Sequence, residues 1–192
     1  MSLFRRAVAA GGDKTALRFQ RDGAWVDISW NQYGADADNA SRALMALGVK
    51  QFGAVAILGF NAPQWFSAMM GAVGCGAKAA GIYTTNGPAA CAHIAGHCEA
   101  SVVFTEDGLQ TAKFLASGEY RNLPHLTTIV QWGGALPASP GAAQAAPDGG
   151  TPLPPPPRVT KKEAPAQQRQ RNSCVACVLG YLEILTTRPV LS

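Results

Sequence analysis

The sequence predicts an α/β fold: an N-terminal hairpin and helix, then β-α-β-α-β-α-β forming a parallel sheet, then a disordered Pro-rich tail. Three observations predict it. Four short apolar runs, "AVAILGF", "AAGIYT", "SVVFTE" and "HLTTIVQW", are separated by helical stretches of roughly ten residues, the mark of parallel strands joined by right-handed crossovers. An Asp-Gly step between two alternating runs precedes them, which signals a hairpin. Residues 137–165 hold nine of the thirteen prolines, which no packed sheet accommodates.

The chain of 192 residues is 47% hydrophobic and 15% charged, enough apolar content for a packed core. The uneven proline content places a boundary near Trp132. Residues 1–132 read as one domain, 133–173 as a Pro/Gly/Ala-rich and basic linker, and 174–192 as a short hydrophobic tail without amphipathic order. So abrupt a shift fits an alternative splice product, a read-through intron or a gene-model error.

In chain order, "MSLFRRAVAA" reads as a first helix, since it lacks the length and serine content of a transit peptide. "TALRFQ" and "AWVDISW" flank "RDG", with Leu17, Phe19, Val26, Ile28 and Trp30 alternating as in paired strands. Ser29 and Gln32 match a capping box at the start of the next helix. Tyr33, Ala37, Ala40, Leu44 and Leu47 then share one face, and Gly48 stands where that helix stops. "AVAILGF" (54–60) is a strand buried on both faces, after which Asn61 is expected to cap a helix that tolerates Pro63 in its first turn. The "AAGIYT" strand follows, then "GPAACAHIAGHC" as a helix, "SVVFTE" as a strand, "DGLQTAKFLAS" as a helix and "HLTTIVQW" as the last strand. Ligands of such sheets gather outside the carboxyl ends of the strands, the edge where Tyr83, Thr84 and Thr85 would lie.

The motifs that could carry chemistry mostly fail on context. Gly74-Cys75-Gly76-Ala77-Lys78-Ala79 satisfies the loose G-x-G-x-x-G/A pattern, but these glycines end a helix and precede a strand, the reverse of a phosphate-binding turn. The G-x-x-x-x-G-K-[ST] pattern fails because Ala77 follows Gly76. His93 and His97 stand four apart on a predicted helix, a spacing that can aim two imidazoles at one metal. Ile94 replaces the glutamate of the metalloprotease pattern, no third ligand is evident, and Cys98 points about 100° away around the helix. Exposed or satisfied histidines are therefore expected. Cys174 and Cys177 form a C-x-x-C without a second pair or a thioredoxin-like context. No G-x-S-x-G elbow occurs, and Asp36 and Asp38 read as helix-surface residues, with Asp38 and Arg42 an i,i+4 pair.

Charge excludes another class. The formal net charge of +4 arises in the tail: residues 1–132 carry ten Lys/Arg against nine Asp/Glu, whereas residues 158–192 carry six against two. A near-neutral folded part gives no footprint for nucleic acid, and the tail reads as a solvated linker. Five cysteines without regular spacing, and no secretory leader, fit reduced thiols in an intracellular, cytoplasmic setting. No stretch reaches the roughly 18 apolar residues of a membrane span, and the nearest, 174–191, is interrupted by Glu183 and Arg188. Peripheral contact with a membrane surface stays open.

Residues 27–107, from "DISWNQYGADADNASRALMALGVKQFGAVAILGFNAPQWF" through "GIYTTNGPAACAHIAGHCEASVVFTED", look like the amino-terminal part of the AMP-forming acyl-CoA synthetases, adenylate-forming ligases. "VAILGFNAPQWF" with "GIYTTNGPAAC" resembles the bubblegum-type long-chain fatty acid–CoA ligases in particular, and the likeness covers about residues 3–132. The resemblance implies a two-step ligase: a fatty acid carboxylate attacks the α-phosphorus of Mg-ATP to give acyl-AMP, and the CoA thiol then displaces AMP. Its partners would be fatty acid, ATP, Mg and CoA. In the family a Ser/Thr/Gly-rich loop ending in lysine, an aromatic-Thr-Glu motif, a ribose-binding aspartate and a carboxy-terminal lysine serve this chemistry. None stands in this sequence, so no catalytic, cofactor-binding or metal-binding residue is carried over.

Tyr83, Thr84 and Thr85 belong to the family-like pattern, with sheet-edge packing and helix capping as their expected roles. The resemblance thus implies an amino-terminal fragment, inactive alone. A second reading is a noncatalytic fragment whose open sheet edge pairs with a full-length synthetase. A third, an independent nucleotide-binding α/β module, has the failed glycine patterns against it.

Overall fold

The computed structural model describes residues 1–115, 118–137 and 183–186. The expected proline-rich linker and most of the hydrophobic tail, Cys174 and Cys177 included, lie outside the described residues.

Helix α1 (Ser2–Gly11) packs on α2 (Trp30–Ala46), with the Phe4 ring edge-on to Tyr33 at 5.0 Å between centroids. Between them β1 (Thr15–Arg21) and β2 (Ala24–Ser29) pair antiparallel as the expected hairpin. Asp22 and Gly23 both have positive φ, 50° and 78°, which matches the strand twist and explains the Asp-Gly step. Across the hairpin Arg18 donates to both carboxylate oxygens of Asp27, at 2.5 and 2.7 Å. The Ser29 hydroxyl accepts from Gln32 N at 3.2 Å, but the Gln32 amide turns to Asp36, so only half of the capping box forms. Tyr33, Ala37, Ala40 and Leu44 are buried as the periodicity requires, and Gly48 has φ 85° just past the helix.

The main sheet contains β3 (Ala54–Leu58), β4 (Lys78–Ile82), β5 (Ala100–Thr105) and β6 (Thr128–Gln131), mutually parallel in the order β4-β3-β5-β6. The crossovers are α3 (Pro63–Gly74), α4 (Pro88–His97) and α5 (Gly108–Leu115), the last followed by a 3-10 turn at Glu119–Asn122. Residue alternation splits the core in two. Val55, Ile57, Val102, Phe104 and Val130 face α2 and α3, whereas Ala56, Leu58, Val103 and Ile129 face α4 and α5. All five residues of β3 are buried, as a central strand covered on both faces must be. Where α2 crosses α3, a Cβ on Gly71 would lie 2.5 Å from that of Ala40, and Ser41 Oγ donates to Gly71 O at 2.9 Å.

Two local expectations change. Pro63 is at the first helical turn, but the N-cap of α3 is Ala62 in extended backbone, without a side-chain cap, so Asn61 lies one residue too early. The cut-off sheet was also expected to leave its last edge open. Instead β7 (Glu183–Thr186), from the carboxy-terminal tail, pairs antiparallel with β6 in the register Thr128↔Thr186 to Gln131↔Glu183. An edge made of four fully buried residues needs such cover, because its free N–H and C=O groups would otherwise be unpaired.

Candidate functional site

Strand β4 is added on one side of β3 and β5 on the other, so the strand order reverses between β3 and β5 and the crevice at their carboxyl ends is the expected ligand position. It is filled by the protein itself. Phe60 N donates to Glu106 Oε2 at 2.9 Å, and Glu106 N donates to Leu58 O at 3.0 Å, bridging the two strand ends. The Trp132 ring lies over Gly59 so closely that a Cβ there would be 2.5 Å from it.

Farther along the same edge, the ends of β5 and β6 are closed by a buried polar network. Thr105 Oγ1 and Thr111 Oγ1 are 2.6 Å apart, and Thr111 Oγ1 donates to Gln131 Oε1 at 2.7 Å. Gln131 Nε2 points at the carbonyls of Gly133, Gly134 and Ala135, at 2.7, 3.2 and 3.1 Å. The sequence reading gave these residues no role. A glutamine ending an apolar run is indistinguishable from an exposed strand end until the loop that covers it is seen.

The open space is one strand over, between the ends of β3 and β4. It is a cleft of about 360 Å³ whose lining includes Phe60, Asn61, Trp65, Tyr83 and Thr84. The sequence placed Tyr83, Thr84 and Thr85 at this edge, and they lie there, just past β4. Their expected roles are not the ones found. Tyr83 is 81% exposed rather than packed, and the N-cap of α4 is Gly87, with no side-chain cap from either threonine. Pro88 opens that helix and fixes its first turn without a hydroxyl. The turn is held from below: Asn86 N donates to Tyr83 O at 3.1 Å, and Lys113 Nζ donates to Thr84 O at 2.6 Å. Under the turn Cys91 is buried, which pushes its thiol pKa up, with the Lys113 charge pulling weakly the other way.

His93 and His97 are both exposed, with rings stacked 6.1 Å apart. Asp38 pairs with Arg5 of α1 at 2.9 Å rather than with Arg42, which reaches Asn39. The longer-range partner wins because α1 lies against α2. Gly74 to Ala79 end α3 and enter β4, with Gly76 at φ 79°.

The cleft does not fit a metal triphosphate. No charged residue lines it, and no group of three or more His, Cys, Asp or Glu that could hold a metal occurs among the described residues. Polyphosphate binding calls for cations or a run of converging N–H groups. Three aromatic rings and two small polar side chains suit an apolar or aromatic contact instead.

Comparison with known proteins supplies the context. Residues 4–174 match the family described as AMP-binding enzyme. The long-chain-fatty-acid–CoA ligase ACSBG1 of Homo sapiens is 41% identical over 128 residues, covering 67% of this chain and 17% of that protein. The long-chain-fatty-acid–CoA ligase ACSBG2 of Gallus gallus is 37% identical over 134 residues, covering 70% of this chain and again 17% of the relative. Among solved structures, an anthranilate CoA ligase in complex with anthranoyl-AMP superposes with a TM-score of 0.60 at 27% identity, over 67% of this chain and 23% of that one. A fatty acyl CoA synthetase of Mycobacterium tuberculosis superposes with a TM-score of 0.56 at 21% identity, over 70% of this chain and 26% of that one, a likeness of fold alone. The chain thus spans 17% of the length of the curated relatives it matches.

Proposed function

The chain belongs to the AMP-binding enzyme family, and from that premise we propose that residues 1–132 are the amino-terminal scaffold of a long-chain fatty acid–CoA ligase that cannot make acyl-CoA alone. One observation carries the reading. The β-α units of the family are present, while the sequence contains none of the groups that grip triphosphate, and the open cleft has no charged lining. In the complete ligase the reaction joins fatty acid and CoA through acyl-AMP, with ATP and Mg. Here the chain's own residues build the sheet and its carboxyl edge, and no step of that reaction is assigned to them.

The proposed division is 1–132 for the partial domain, 133–173 for the linker and 174–192 for the tail. Alignments of 128 and 134 residues with the curated relatives support the first boundary, although the family match runs on to residue 174. Free thiols at Cys75, Cys91 and Cys98 support a reducing, cytoplasmic setting, with contact at a membrane surface arising through the acyl substrate. No helix among the described residues is long and apolar enough to cross a membrane. The test is to incubate purified chain with ATP, Mg, CoA and a long-chain fatty acid. The expected result is no acyl-CoA above the protein-free control; sustained formation overturns the reading.

A second reading is favoured by one specific feature. Phe60, Tyr83 and Leu109 are 67%, 81% and 77% exposed, and all three follow strand ends at the carboxyl edge. A noncatalytic fragment binding a full-length synthetase would use such a surface. Because β7 occupies the outer edge of β6, the contact would be through this apolar rim and not through that edge. Co-purification with a full-length synthetase and a change in its rate test it; no association removes it.

A further inference from the structure

Helix α4 carries two imidazoles in a constellation that the ligase reading does not use. We propose that His93 and His97 form a chelating site for a divalent transition-metal ion that favours nitrogen ligands. The two residues lie one turn apart on the same face, both are exposed, and their rings are inclined by 19° with centroids 6.1 Å apart. A metal bound at about 2.0–2.1 Å to one nitrogen of each ring needs those rings about 1 Å closer. Exposed histidines achieve this by side-chain rotation, with the helix backbone unchanged.

The surroundings favour a cation. His97 is in the last turn of α4, where the helix carbonyls carry the negative end of the dipole. The helix itself contains no Lys or Arg, so no fixed positive charge on α4 opposes the ion. With only two protein ligands the remaining coordination positions belong to water, which makes this an open surface site. Imidazole donors select the Ni, Cu and Zn group over Mg or Ca, whose ligands are oxygens.

The experiment uses the full chain without an affinity tag, with Ni(II) as the probe, followed by calorimetric titration and by the rise in melting temperature. The expected result is one site that raises the melting temperature, weakened about tenfold or more by His93→Asn and equally by His97→Asn, because a chelate becomes a single donor. The double change Cys174→Ser with Cys177→Ser leaves the expected affinity intact, which separates this site from the C-x-x-C thiols. Circular dichroism confirms that the exposed substitutions keep the fold. No Ni(II) binding, binding that survives both histidine changes, or binding lost with the two cysteines overturns the proposal.

Discussion

The two halves of the carboxyl edge are built on opposite principles. At the ends of β5 and β6 the side chains of Thr105, Thr111 and Gln131 are joined in one buried network, and Trp132 seals the crevice over Gly59. At the ends of β3 and β4 the aromatic side chains of Phe60 and Tyr83 stand in solvent around a cleft, and the turn is held by a backbone hydrogen bond and the Lys113 side chain. The closed half makes stability and the open half presents surface. Buried polar groups are tolerated only where each finds a partner, so closing an edge costs a dedicated loop such as 133–135. The open half has no such loop among the described residues.

Substitutions can break that contrast. The largest effect is expected from Phe114→Ala, since this fully buried ring in α5 supports the closed half from beneath. Chemical unfolding should show a loss of about 3–5 kcal/mol. Gln131→Ala follows, with about 2–3 kcal/mol lost as Thr111 and the loop carbonyls lose their partner, and with faster proteolysis at 133–137. Tyr83→Ser in the open half should change stability by no more than about 0.5 kcal/mol; a larger loss would mean that the exposed ring packs in solution and that the halves are alike.

The smallest effect lies outside both halves, in the hairpin. Hydrogen bonds from Arg18 hold the Asp27 carboxyl below the usual carboxylate range. A depressed value contributes stability above the ordinary carboxylate pKa of about 4 and loses it as pH falls through the lowered one. Asp27→Asn should therefore flatten the acid side of the melting profile slightly and leave stability at pH 7 nearly unchanged, as expected for an exposed pair.

What the sequence revealed tracks the range of the interactions involved. Asp22-Gly23, the face of Tyr33, Ala37, Ala40 and Leu44, and the alternation of apolar runs with helices are local patterns, and the structure has each of them. The failures are competitions settled at a distance. Asp38 could pair within its own helix, but α1 brings Arg5 closer. Thr84 and Thr85 could cap α4, but the chain turns so that Gly87 takes that position and Thr84 offers only its carbonyl. Gln131 and β7 could not be read at all, since one depends on a loop and the other on a strand that pairs across more than fifty intervening residues. Within the candidate site, the edge was legible and the cleft was not, because its walls come from two crossovers.

Strand β3 has hydrogen-bonded neighbours on both sides, β4 and β5, and covered faces above and below. Its amides can meet deuterium only when the whole sheet comes apart, whereas those of the peripheral hairpin can be reached by fraying. Isotope labelling over time should thus leave 54–58 dark after 15–29 has filled, and that interval measures how far the centre outlasts the rim.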